Sequence, residues 1–238
     1  MSTALLIATS FSLGFFVESI IGFGGGLIAY SLLGFFIDLK TMILAGLYIG
    51  TLSSAHIFLT DRQSFDKKIF LKMLPFSLAG TIIGVLFFSH LSVEILSAAF
   101  GILLLALAIK IMFFDHYAFP KFFQKKLIFT GGISHGAFGI GGPFWVNALK
   151  GEFKNKSALR TTMAGTFVAF NLIRIMQLSL QKEISLNFFT EIWWTILPVF
   201  LAIKLGHLAH LKISEELFKK GIALMTIFAS LKFISKIF

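Results

Sequence analysis

The stretch Glu18-Ser19-Ile20-Ile21-Gly22-Phe23-Gly24-Gly25-Gly26-Leu27 lies in the middle of an apolar run over 4–36, and Ala137-Phe138-Gly139-Ile140-Gly141-Gly142-Pro143-Phe144 lies inside a second run over 127–149. Glycine costs about 1 kcal/mol per residue in a helix interior relative to alanine, and proline about 3. A membrane-length segment with such a cluster at its centre is therefore not expected to run as one straight helix. Irregular backbone at membrane depth persists only where it is buried in protein or lines a cavity. Two breaks at matching positions of two halves point to the substrate site of a transporter.

The rest of the composition agrees. Hydrophobic residues make up 57% of the 238 positions and charged residues 13%, against about 25% charged in a soluble domain. The expectation is a polytopic membrane protein with no separate soluble domain. The net charge of +10 comes from lysines and arginines in short loops. Those are read under the positive-inside rule rather than as a nucleic-acid surface, and no nucleic-acid partner is expected. The absence of cysteine excludes disulfides, thiolate metal sites and thiol catalysis. The N-terminal Met1-Ser2-Thr3-Ala4 lacks the basic region of a signal peptide and is read as mature sequence.

Apolar stretches run over 4–36, 41–60, 71–90, 94–114, 127–149, 160–180, 188–207 and 217–237, and a span needs about 20 residues. Several features besides the glycines occur twice. Ala45-Gly46 is matched by Ala164-Gly165, Pro75…Gly84 by Pro198…Gly206, and Leu91-Ser92-Val93-Glu94 by Ile213-Ser214-Glu215-Glu216. The chain thus divides into a first transmembrane repeat over 1–115, a basic cytoplasmic linker over 116–126 and a second repeat over 127–238. If each glycine stretch crosses the membrane once, the loop charges divide almost evenly and set no orientation. If each is a re-entrant hairpin, only Lys40, Lys182, Lys232 and Lys236 lie on the side of the termini, and the remaining loop lysines and arginines lie opposite. That asymmetry favours inverted repeats, each with a hairpin and three spans, and both termini outside.

The candidate substrate-binding residues are those of the breaks, Gly22, Phe23, Gly24, Gly25 and Gly26 in the first and Gly139, Ile140, Gly141 and Gly142 in the second. Glycine lets backbone N–H groups approach a ligand closely. A helix starting after each cluster would aim its positive end at the gap, which suits an anion. The bland alternative is close helix–helix packing by small residues. Arg174 lies well inside its span, where an arginine costs at least about 2.5 kcal/mol. It is expected to face the interior and meet a partner or an anionic substrate, with snorkelling to the outer interface as the alternative. Asn171 lies on the same helical face. Thr51, Ser54 and Thr166 are hydroxyls able to reach oxyanion oxygens. Glu18 and His135 each stand four residues before a cluster. They are candidates for proton coupling, or for pinning the hairpins, including a Glu18–Arg174 pair. The loop Asp61–Asp66 reads as ordinary turn chemistry. No metal-ligand spacing, catalytic constellation or cofactor motif is visible.

At these residues the chain resembles the TauE/SafE family of membrane anion transporters. The resemblance rests on both glycine motifs and on Ala45-Gly46-Leu47-Tyr48-Ile49-Gly50-Thr51. It extends to the Arg62…Asp66 loop, Pro75…Gly80…Gly84 and Pro198…Gly206, and covers essentially the whole chain. Pro143, Asn147 and Glu18 depart from the family pattern. The resemblance implies a bacterial inner-membrane permease for sulfite, organosulfonates or related sulfur-containing anions, commonly an exporter, with the glycine clusters along the substrate path.

The expectation is therefore an all-α secondary transporter working by alternating access at a midplane site between the breaks. It would be proton-coupled through Glu18 or His135, would need no cofactor, and would be embedded in lipid as a monomer or homodimer. The rival reading is a passive anion channel or a non-transporting subunit of a membrane complex.

Overall fold

The computed structural model describes residues 2–21, 25–114, 119–149, 151–208 and 215–235. Gly22, Phe23 and Gly24 lie outside them, so the middle of the first break is not described. All regular structure among the described residues is helical: α1 Thr3–Ile21, α2 Gly25–Leu33, α3 Leu39–Thr60, α4 Lys67–His90, α5 Val93–Phe113, α6 Gln124–Phe138, α7 Gly142–Ala148, α8 Lys156–Leu180, α9 Leu186–Ile192, α10 Ile196–Leu208 and α11 Glu215–Ile234. Five segments among the described residues are long and apolar enough to cross a membrane: α3, α4, α5, α8 and the α9–α10 stretch Asn187–Gly206. The expected all-helical, multi-pass membrane protein is borne out. The second glycine-bearing run is divided at its cluster, into α6 and α7, while the first carries α1 up to Ile21 and α2 from Gly25.

Polar residues set the helix starts. Asp66 accepts from the Ile69 N–H at the start of α4, Ser92 from Ile95 at α5, and Asn155 from Ala158 at α8. Each side chain satisfies one of the backbone donors that a helix leaves unpaired in its first turn.

Packing divides the chain into two units, and each draws on both sequence halves. The first comprises 1–49, 92–116 and 186–238, and the second 50–91 and 117–185. In the first unit α1 packs on α2 and α10, while α11 packs on α5 and α2. Its interior holds an edge-to-face series of rings, Phe11 to Tyr30 (5.9 Å), Tyr30 to Phe100 (5.9 Å) and Phe100 to Phe233 (5.0 Å). That geometry suits the aromatic quadrupole.

In the second unit α4 lies along α6 and also against α8, and α7 folds back onto α6. The α4–α6 seam is made of glycine. A Cβ on Gly132 would lie 3.0 Å from the Ser77 Cα and 3.1 Å from the Gly80 Cα, and one on Gly136 would lie 2.9 Å from the Gly84 Cα. With lipid outside, helices gain little from hydrophobicity and associate through such close backbone approach. Trp145 of α7 is fully buried, and its Nε1–H donates to the Ile128 carbonyl at 3.1 Å. It anchors a core with Ile69, Met73, Ile128, Leu149, Met163 and Phe170.

Candidate functional site: the helix breaks and a buried arginine

The second break is described in full. Helix α6 ends at Gly139, whose φ of 77° and ψ of 9° lie in the left-handed region. A side chain there would be strained, which is why glycine occupies the position. Its N–H donates to the His135 carbonyl at 2.8 Å. Ser134 Oγ donates to the Ile140 carbonyl at 2.5 Å, tying the far side of the break to α6. Gly141 has ordinary negative φ but is closely walled: a Cβ would stand 2.8 Å from the Trp145 ring and 2.9 Å from the Gly131 carbonyl oxygen. A Cβ on Gly142 would lie 3.2 Å from the Phe167 ring. The start of α7 offers few donors. Pro143 has no N–H, and those of Phe144 and Trp145 both turn to the Gly141 carbonyl at 3.1 Å.

Positive charge reaches this region through a side chain. Arg174 of α8 is 1% exposed. Its Nε donates to the Gly136 carbonyl at 3.1 Å, and a terminal nitrogen donates to Asn171 Oδ1 at 3.4 Å. Arg174 and Asn171 face the interior, and snorkelling does not occur. The Gly136 carbonyl belongs to the last turn of α6, so the guanidinium is fixed one turn before the break.

His135 is also 1% exposed. Its ring sits among Trp145 (5.1 Å), Phe167 (5.4 Å) and Phe170 (6.4 Å). The Asn171 amide and the Arg174 charge are close by. The Gly139 backbone is close as well, yet neither imidazole nitrogen has a partner in hydrogen-bond geometry. Gln177 Oε1, Ser77 Oγ and Thr81 Oγ1 are likewise buried without one.

The other sequence candidates are distributed unevenly. Thr166 is buried, but its hydroxyl donates to the Thr162 carbonyl of its own helix at 2.7 Å. Thr51 and Ser54 are partly buried on α3. In the first unit, Gly25 and Gly26 open α2, and Glu18 Oε2 accepts from the Gly25 N–H at 2.7 Å. The carboxylate bridges from α1 to the start of α2, where an anion is favoured by the unpaired N–H groups and the helix dipole.

Sequence reasoning missed the aromatic wall around His135. Its signal was present, since Phe167, Phe170, Asn171 and Arg174 recur at the 3- and 4-residue spacing of one helical face. The Asp61–Asp66 loop also does more than turn. Asp61 accepts from Ser157, from Ser64 at 2.8 Å and from Thr161 at 3.1 Å, joining the loop to the first turns of α8. The Ser157 and Ser64 hydroxyls, helped by Thr161 and Arg160, hold its carboxyl below the usual carboxylate range.

The family model described as sulfite exporter TauE/SafE matches residues 6–233, nearly the whole chain. The chain belongs to the TauE/SafE family. No curated protein and no solved structure gives a significant match. Membership in TauE/SafE, a family of membrane transporters, agrees with the five apolar helices and bears out the resemblance carried by the two glycine motifs.

Proposed function

We propose that this TauE/SafE protein is a secondary transporter, working as an exporter, of sulfur-containing anions such as sulfite or small organosulfonates. The carrying observation is Arg174, a guanidinium buried to 1% and braced against the broken helix α6. An arginine buried within an apolar span is costly enough to need a reason, and its planar fork matches the oxygens of a sulfonate or sulfite. The mobile part of such a site would be the backbone at Gly139–Gly142, with Ile140 against it, and Asn171, Thr166, Thr51 and Ser54 as further polar groups. In the first unit Gly22–Gly26, including Phe23, would play the corresponding part.

Further readings belong to the same proposal. The halves 1–115 and 127–238 are inverted repeats joined by the basic segment 116–126. The glycine runs are re-entrant hairpins, the termini lie outside the bacterial inner membrane, and transport proceeds by alternating access. Reciprocal packing supports the repeats. The Pro75…Gly84 helix of the first half packs on the second half's broken helix, and the Pro198…Gly206 helix of the second half packs on the first's.

The test is flux of labelled sulfite and methanesulfonate in proteoliposomes. Saturable flux is expected, at least tenfold reduced in Arg174→Lys, which keeps the charge and loses the fork. Flux that does not saturate would indicate a channel. No flux from folded protein would indicate a subunit role.

A further inference from the structure

We infer that His135 is the residue that carries a proton together with the anion, and that Glu18, its positional counterpart, is a structural cap. The inference rests on the anion-transport reading above and decides between two groups that the sequence leaves equivalent. The Glu18 carboxylate is already engaged, holding the Gly25 N–H at 2.7 Å where α2 begins. The His135 imidazole is enclosed, and neither nitrogen has a partner in hydrogen-bond geometry, with the Asn171 side chain and the Gly139 backbone as its polar neighbours. A buried polar group left without a hydrogen bond is costly, and such groups in native proteins call for a role.

The surroundings of His135 define that role. Trp145 and Phe167 lie tilted against it, with centroids at 5.1 and 5.4 Å, and Phe170 makes an edge-type contact at 6.4 Å, so the rings leave the imidazole only 1% exposed. Among the described residues, the charged group facing it from the packed elements is Arg174 of α8. Helix α4 brings Ser77 and Thr81 to the α6 seam, with its lysines and His90 at its ends. The sequence of α7 contains no titratable residue, Lys121 precedes α6, and Lys125 and Lys126 lie in its exposed first turn. An imidazolium beside Arg174 would place two cations together in a low dielectric. An anion bound at Arg174 relieves that repulsion, so proton and anion favour each other's binding. The step is simple: neutral imidazole takes up one proton as the anion enters and returns it as the anion leaves. Because His135 sits one turn before the left-handed Gly139, movement at the break would change access to both at once.

The experiment uses methanesulfonate, which stays ionised, so any proton uptake belongs to the protein. With wild-type protein in weakly buffered detergent, adding methanesulfonate should take up protons, and its affinity should change by up to about tenfold per pH unit. In proteoliposomes, an imposed pH gradient should drive its flux. His135→Gln and His135→Asn should show slower exchange that no longer responds to pH, while Glu18→Gln should still respond. Flux without proton uptake overturns the inference and leaves anion transport standing. So does a gradient response that survives in both His135 variants, or one lost in Glu18→Gln alone. Absence of both sulfite and methanesulfonate flux in wild type removes the transport reading and this inference with it.

Discussion

Replacing Gly136 by alanine sets two effects of opposite sign against each other. Alanine improves helix propensity by about 1 kcal/mol. The new Cβ, however, would stand 2.9 Å from the Gly84 Cα and 3.0 Å from the Thr81 carbonyl carbon, and closer still to the Thr81 oxygen. Carbon atoms pack at about 3.5–4.0 Å, and every atom met here is α4 backbone, with no rotamer to change. Helix α4 would have to retreat by roughly half an ångström or more, and gaps of that size forfeit about a quarter to a half of the contact energy along the seam. Overpacking of this kind costs about 1–3 kcal/mol, and rigid backbone puts it at the upper end, so a net loss of about 1–2 kcal/mol is expected. The Gly136 carbonyl also holds Arg174, so transport should fall even under conditions where the variant remains folded. The assay is unfolding of purified protein in detergent, paired with liposome flux. Gly221→Ala in α11 is the control: its Cβ meets nothing within 4 Å, and it should be neutral or stabilised by up to about 1 kcal/mol. A Gly136→Ala protein as stable as wild type, or a Gly221→Ala protein equally damaged, would refute the steric argument.

Two further outcomes follow from the polar contacts. Glu18→Ala removes the acceptor of the Gly25 N–H and should destabilise by about 0.5–2 kcal/mol, as loss of a helix cap does. Glu18→Gln keeps a carbonyl acceptor and should lose less, so detergent melts that rank the two the other way would contradict the capping role. Asp61 has its carboxyl held low chiefly by Ser157 and Ser64. Its contribution is therefore present above the ordinary carboxylate value of about 3.9 and is lost as pH falls through the lower folded value. The gap in melting temperature between wild type and Asp61→Asn should thus shrink on acidification below about pH 4, and a constant gap would show that the carboxylate's charge is immaterial.

The helical spans were legible because a membrane segment satisfies its own backbone, so length and apolarity suffice to find it. The runs 71–90 and 160–180 lie within α4 and α8, and 188–207 is interrupted only by the short turn Trp193–Thr195. The division of 127–149 was equally legible, since glycine and proline act locally. Arg174 declared itself by its cost. The state of His135 could not be read, because whether an imidazole has partners depends on side chains from α7 and α8. The role of Asp61 was hidden for the same reason, its partners Ser157 and Thr161 lying 96 and 100 residues away in sequence.

By itself, the sequence determined the membrane class, the places where the helices break and the TauE/SafE family. These follow from local chemistry and from the order of motifs along one chain. Tertiary structure alone decided which helix pairs with which. The Pro75…Gly84 helix belongs to the first half in sequence, yet its glycines meet Gly132 and Gly136 of the second. Likewise α10 leaves its half to lie against α1, where a Cβ on Gly206 would meet the Phe16 carbonyl oxygen. The physical reason is that small-residue seams specify a shape, backbone against backbone, and a glycine on one helix carries no record of which other helix supplies its partner.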